Sequence, residues 1–143
     1  LNNMIFLIPN NFEKQTRIIE KLETIDKLGL VILDSMTKLY RVELSNKKFP
    51  KVNKELSKQM KLLRQISKIK KIPVLVINSL SSDIENKKDL KIVGGQIISY
   101  GSKCVLELKK ANKNNRVLIL RKHETLSKKE LTFKILEEGI KKI

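Results

Sequence analysis

One cysteine in 143 residues removes an internal disulfide from consideration, because Cys104 has no second thiol in the chain to join. Its neighbours Val105, Leu106 and Leu108 make it read as a buried small hydrophobe, which suits a reducing cytoplasm. Glycine and proline are also scarce, at five and three residues, so no Gly/Ser or Pro-rich linker divides the chain. No apolar run approaches the roughly 20 residues that span a bilayer, and the start LNNMIFLIPNN lacks a basic segment, so no membrane partner or secretion signal is expected. Aromatics make up 4% of the chain, which leaves Tyr40 and Tyr100 as candidates for stacking on bases, with partial core packing the plainer reading.

Negative charge is the other scarcity. Fifteen acidic residues face 31 lysines and arginines, giving a net charge of +16. Such a surface favours a polyanionic partner, because each lysine near a phosphate releases condensed counterions. The plainer alternative is that lysine-rich usage reflects base composition or a hot habitat and makes only a solvated surface.

What is present is enough for one domain, or part of one, since 41% of residues are apolar and no internal repeat is evident. Met4 to Ile8 is a short apolar run closed by Pro9 and reads as a strand. Asn10 with Glu13 suggests a capping pair for a helix from about Asn11 to Leu28, with Ile18, Ile19, Leu22 and Ile25 on one side and Gly29 as its stop. Leu30 to Leu33 reads as a second strand, and the polar ELSNKKFPK with Pro50 as a loop. From Val52 the spacing of Leu56, Met60, Leu63, Ile66 and Ile69 is helical, and PVLVIN from Pro73 to Asn78 is a third strand. Alternating strands and helices predict an α/β fold with a parallel sheet and helices on both faces. Ser81 to Gly101 is polar and reads as a long loop with a short helix near Ile97. KCVLEL, RVLILR and LTFKIL then predict antiparallel strands that extend the sheet.

In open parallel sheets ligands sit beyond the carboxyl ends of the strands, and the stretch VILDS ends an apolar strand on Asp34 and Ser35. A carboxylate there suits magnesium, which is held largely through its own waters; Asp and Ser are equally common as caps and turn formers. The phosphate loop GxxxxGK[ST] is absent, and no Gly-Lys pair occurs anywhere in the chain.

The run VILDSMTKLYRVEL, the helix VNKELSKQMKLLRQISK, the strand PVLVIN, the segment SSDIENKKDLKIVGGQIISYGSKCVLELKK and the ending RVLILRKHETLSKKELTFKILEEGI resemble the carboxyl-terminal two-thirds of the RecA/RadA/Rad51-type recombinase core, and within that family the archaeal RadB group. The resemblance covers nearly the whole chain. It implies a RecA-like three-layer core, residues 1 to 143 forming one partial ATPase domain without its phosphate-loop segment. It also implies ATP and Mg2+ as cofactors, with Asp34 as the magnesium-side acid and Ser35, Ser79, Arg121 and His123 near the nucleotide. Arg121 and His123 are implied to reach the nucleotide of a neighbouring protomer. Two loops are implied to face single-stranded DNA. The first follows Tyr40 and Arg41 and includes Lys47 and Lys48; the second runs from about Ser81 to Gly95 and includes Lys87, Lys88, Lys91, Gly94 and Gly95. Where the family usually has Gln after the strand-ending Asn, this chain has Ser79, whose shorter side chain puts coupling between nucleotide and DNA in doubt.

The function so implied is a DNA repair and recombination accessory protein of RadB type, with single-stranded DNA and a RadA-type recombinase as partners and weak or no ATPase of its own. Two alternatives stay open: half of a DNA-dependent ATPase completed by a chain carrying the phosphate loop, and a basic RNA-associated α/β protein. A start on Leu1, with the phosphate-loop region missing, leads one to expect a fragment, a split gene product or a truncated reading frame.

Overall fold

The computed structural model describes residues 3–46, 49–82, 90–112 and 114–143. The chain divides into two compact units, Leu1–Gly101 and Ser102–Ile143.

In the first unit, helix α1 spans Phe12–Lys21. Asn11 caps it, one residue later than the sequence suggests, its side-chain oxygen accepting the Lys14 amide at 2.8 Å. Glu13, the expected capping partner, instead meets Arg17 one turn on at 2.6 Å. The helix stops well short of Leu28. A 3₁₀ turn at Leu22–Thr24 follows, in which the Thr24 hydroxyl donates to the Lys21 carbonyl that another helical turn would have used. Left-handed backbone at Lys27, not at Gly29, then turns the chain.

Strand β1 is Val31–Asp34, and β2 is Val74–Ile77. They pair in parallel, Val31 opposite Val74 through Asp34 opposite Ile77. Between them lie α2, Lys38–Asn46, and α3, Phe49–Lys70. The loop expected across ELSNKKFPK is therefore corrected: its described residues are helical. Pro50 sits in the first turn of α3, where a missing N–H costs nothing. Val52, Leu56, Met60, Leu63 and Ile66 of α3 form a buried stripe against Phe12, Ile19 and Leu22 of α1 and Met36 and Tyr40 beyond β1. Tyr40 is thus a core residue. Its ring meets Phe12 edge-on at 5.8 Å, its hydroxyl donates to Asn53 at 2.7 Å, and burial raises its pKa. Tyr100 is exposed.

The β1–β2 ribbon has two unlike faces. Val31 and, half-buried, Leu33, Val74 and Val76 turn toward the helical core. Ile32, Leu75 and Ile77 on the other face are 55%, 48% and 40% exposed. The run Met4–Ile8, expected as a strand, is not one. Its side chains are exposed, and no described strand takes up its hydrogen bonds.

The rest of the unit is a small hairpin, β3 (Leu80–Ser82) against β4 (Leu90–Ile92), and helix α4, Gly95–Gly101, which matches the short helix expected near Ile97. Gly94 adopts φ +77, and a Cβ there would come within 2.9 Å of both Leu56 and Ile98 side chains. Both conformation and space therefore demand glycine.

The second unit is one antiparallel sheet in the order β5 (Val105–Lys110), β6 (Asn115–Lys122), β7 (Glu130–Leu136) and β8 (Gly139–Lys142). Three of these strands are the expected ones. Cys104 precedes β5 and is exposed, which corrects the buried reading: the strand's pairing begins one residue after it.

A buried amide network ties α1 to α3. Gln15 Nε2 donates to Gln59 Oε1 at 2.8 Å and to the Met36 carbonyl at 3.1 Å, while Gln59 Nε2 donates to Thr16 Oγ1 at 2.7 Å. No buried side-chain nitrogen or oxygen among the described residues lacks a partner. Replacing Gln59 by leucine keeps the volume but strands two of these groups, and should lower stability by about 1–3 kcal/mol. Urea unfolding should show a lower midpoint at unchanged slope, and the Gln15→Leu/Gln59→Leu double variant should recover part of the loss. A neutral Gln59→Leu would refute the network's importance.

Candidate functional site

Parallel pairing sets the carboxyl ends of β1 and β2 side by side, and that edge collects the polar residues that end each apolar run. Asp34 is exposed and lies opposite Ile77, on the same ribbon face as Ile32. The Asp34–Ser35 peptide bond is cis. After it the chain stays attached to β2, because the Met36 amide donates to the Ile77 carbonyl at 3.0 Å. Buried Thr37 donates its hydroxyl proton to the Asn78 side-chain oxygen, which also accepts the Ser79 amide at 2.9 Å. The Asn78 amide nitrogen donates to the Val93 carbonyl at 2.7 Å. The structure therefore brings Asp34, Ser35 and Ser79 to one edge, with Ser79 exposed. It adds Thr37 and Asn78, neither of which is among the site residues expected from the sequence. They bond across 41 positions, a relation that no local pattern announces.

One carboxylate and one hydroxyl fit a single arm toward a hydrated magnesium ion. They do not make a nucleotide site. No group of three or more His, Cys, Asp or Glu side chains converges among the described residues, and no Gly-Lys phosphate cradle stands beside Asp34. A cleft of about 360 Å³ between α1, α2 and α3 is lined by Glu13, Arg17, Glu20, Glu43, Lys51 and Glu55, among others, and includes none of the carboxyl-edge residues. No hydrolytic step follows from this donor set.

Of the basic residues expected at DNA, Arg41 is exposed on α2, its backbone amide bonded to the Thr37 carbonyl at 3.0 Å. Tyr40 and Arg41 lie in α2, and so do the residues after them as far as Asn46, where the first loop is expected from the sequence. Lys47, Lys48, Lys87 and Lys88 lie outside the described residues. Lys91 is placed on β4 opposite Ser81, and Gly94 and Gly95 form the turn into α4 with positive φ.

Within the second unit, Arg121 and His123 are already engaged. Arg121 Nε donates to Glu107 Oε2 across the β5–β6 pair, with Lys109 at 3.4 Å from the other oxygen. His123 Nδ1 accepts the backbone amides of Thr125 and Leu126, each at 3.1 Å. The neutral ring therefore carries its proton on Nε2, which is its remaining donor.

With this geometry in hand, likeness to known proteins becomes informative. A family model described as Rad51 matches residues 1–143. The chain belongs to the Rad51 family. A Methanobrevibacter smithii protein named DNA repair and recombination protein RadB is 38% identical over 98% of this chain and 63% of its own length. The protein of the same name from Methanocaldococcus jannaschii is 34% identical over 98% of this chain and 66% of its own. A crystal structure titled as the RadB recombinase superposes with a TM-score of 0.74 at 32% identity, covering 96% of this chain and 62% of that one. The fold of this Rad51-family chain is thus the RecA-like α/β fold, and the chain spans just under two thirds of the length of these relatives.

Glu107 has a measurable signature. The hydrogen bond from Arg121 holds its carboxyl below the usual value, burial opposes the shift, and Lys109 adds to it. A depressed carboxylate contributes stability that is present above the unfolded value of about 4.3 and is lost as pH falls through the lower folded value. In Arg121→Gln, NMR titration should show the Glu107 midpoint moving upward. The accompanying stability loss, below about 1 kcal/mol for so exposed a pair, should be seen at neutral pH and vanish in acid. An unmoved midpoint would remove Arg121 as the cause.

Proposed function

We propose that this chain is a DNA repair and recombination accessory protein of RadB type, acting in the cytoplasm on single-stranded DNA and on a RadA-type recombinase. The observation that carries the reading is the identity with RadB proteins across 98% of the chain, at 38% in the first case. The net charge of +16 supports a polyanionic partner independently. Both units then belong to one partial RecA-like core. Arg41, Lys47, Lys48, Lys87, Lys88 and Lys91 neutralise phosphates, and Gly94 and Gly95 let backbone amides approach the strand closely. Asp34 and Ser35 serve magnesium, and Ser79, Arg121 and His123 serve the phosphates of ATP. Hydrolysis by this chain is weak or absent, a reading supported by the lack of a Gly-Lys pair in its sequence.

A second reading has one observation in its favour. The bare ribbon face of Ile32, Leu75 and Ile77 fits a polypeptide that supplies the phosphate loop and covers that face, making this chain half of a DNA-dependent ATPase. Mixing the two should then yield hydrolysis that Asp34→Asn abolishes; hydrolysis indifferent to that change would exclude Asp34 from the magnesium role.

For the leading reading, affinity for a labelled single-stranded oligonucleotide should fall steeply and linearly on a log–log plot against salt. Each neutralised phosphate contributes about −0.7 to the slope. A flat dependence would overturn it, and equal affinity for duplex RNA would point instead to a general basic RNA-associated protein.

A further inference from the structure

The longest helix turns one sign of charge outward. On α3, Val52, Leu56, Gln59, Met60, Leu63 and Ile66 are buried. The opposite side carries Lys51, Lys54, Lys58, Lys61, Arg64 and Lys68, all exposed and each three or four residues from the next. That spacing sets successive charges on one face, about 4.5–6 Å apart along the axis, over a length of about 25 Å. Glu55, the acid of this helix, is half-buried and faces the cleft between α1, α2 and α3. Lys51 lines the same cleft, and Lys58 meets Glu20 at 2.7 Å. Lys54, Lys61, Arg64 and Lys68 have no ion pair among the described residues.

A helix that only has to be wetted is not best built this way. Like charges three or four residues apart repel, and a cation in the first turn opposes the helix dipole. Lys51 stands in that first turn, which has no acid to offset it; the dipole favours only Lys68 and Lys70 at the far end. The same chain makes its other amphipathic helix differently. In α1 an acid opens the first turn, Glu13 pairs with Arg17 at 2.6 Å, and Lys21 closes the last turn. Lysine-rich usage alone does not produce that contrast within one unit.

A straight row of cations fits a stiff polyanion whose charges are outermost. Duplex DNA carries one phosphate charge per about 1.7 Å of its axis, so about 25 Å of helix faces about fifteen of them. Single strands are held where their bases stack on aromatic side chains, and this face has none: Phe49 falls on the line of Val52 and Leu56. A bilayer would need an apolar face turned out, whereas that of α3 is turned to the core. We propose that the outward face of α3 is a second nucleic-acid surface of this chain, one that holds the phosphate backbone of duplex DNA without reading its sequence. It uses none of the residues assigned to the single strand, so the two readings stand or fall separately.

Fluorescence anisotropy with a blunt DNA duplex and with a single-stranded oligonucleotide, each across a salt series, tests the proposal. Lys54→Gln/Lys61→Gln/Lys68→Gln is compared with the wild-type chain and with the arginine version of the same triple. A third variant, Lys128→Gln/Lys134→Gln/Lys141→Gln, removes the same net charge from exposed positions of the second unit. The α3 glutamine triple should flatten the duplex slope by about 2.7, about 0.9 for each lost phosphate contact, and leave the single-strand slope at its wild-type value. The arginine triple keeps every charge and should keep the duplex slope, which separates lost charge from lost packing of the lysine stems. The second-unit triple should keep it too. Equal flattening by both glutamine triples would reduce the effect to net charge and overturn the proposal. An unaltered duplex slope in the α3 triple, or an equal loss on the single strand, would overturn it as well. A flat single-strand dependence in the wild-type chain would sink the earlier reading and leave this one standing.

Discussion

The parallel ladder between β1 and β2 is the constraint from which the rest of the first unit follows. A parallel pair requires a long crossover, and the 22-residue α3 with the shorter α2 before it supplies one. The same ladder places both carboxyl ends at one edge in register, Asp34 beside Ile77. The polar groups at that edge, Asp34, Ser35, Thr37, Asn78 and Ser79, either end β1 or follow one of the two strands within three residues. Shift the register by one residue and Asp34 would face the helical core, with Val31 and Leu33 turned outward.

Patterns with a physical period were readable in the sequence. The stripe from Val52 to Ile66 predicts α3 because burial on one helix face requires that spacing, and the β-branched run after Pro73 predicts β2 for the matching reason. Errors came where a local cue had two meanings. Pro50 breaks a helix interior but suits a first turn, so by itself it does not separate the expected loop from the helix start found there. Met4–Ile8 has the composition of a strand, yet a strand also needs a neighbour, and composition says nothing of neighbours. The last strand, β8, was missed because its entry through Glu137 and Glu138 lacks the usual Asn-Gly signature, although Gly139 does adopt φ +133.

The site was legible in a narrower way. Asp34 stood out because a carboxylate ending an apolar strand is chemically odd. Its surroundings did not, since Thr37 with Asn78 and Glu107 with Arg121 are pairings made by the fold, 41 and 14 residues apart. Arg121 shows the difficulty: a basic residue at a strand end gives no sign in the sequence of the acid it meets on the adjacent strand. His123 differs, because its bonds to the following turn use one ring nitrogen and leave the other as a directed donor.

The uncovered face of the β1–β2 ribbon bears on how the molecule behaves in solution. Ile32, Leu75 and Ile77 make an exposed apolar patch that two copies of the chain would tend to bury against each other. The net charge of +16 opposes that encounter by mutual repulsion. Repulsion of this kind is screened within about 8–10 Å at moderate ionic strength, while contact between apolar faces is not. The lysines therefore act as a colloidal stabiliser, and added electrolyte weakens that role.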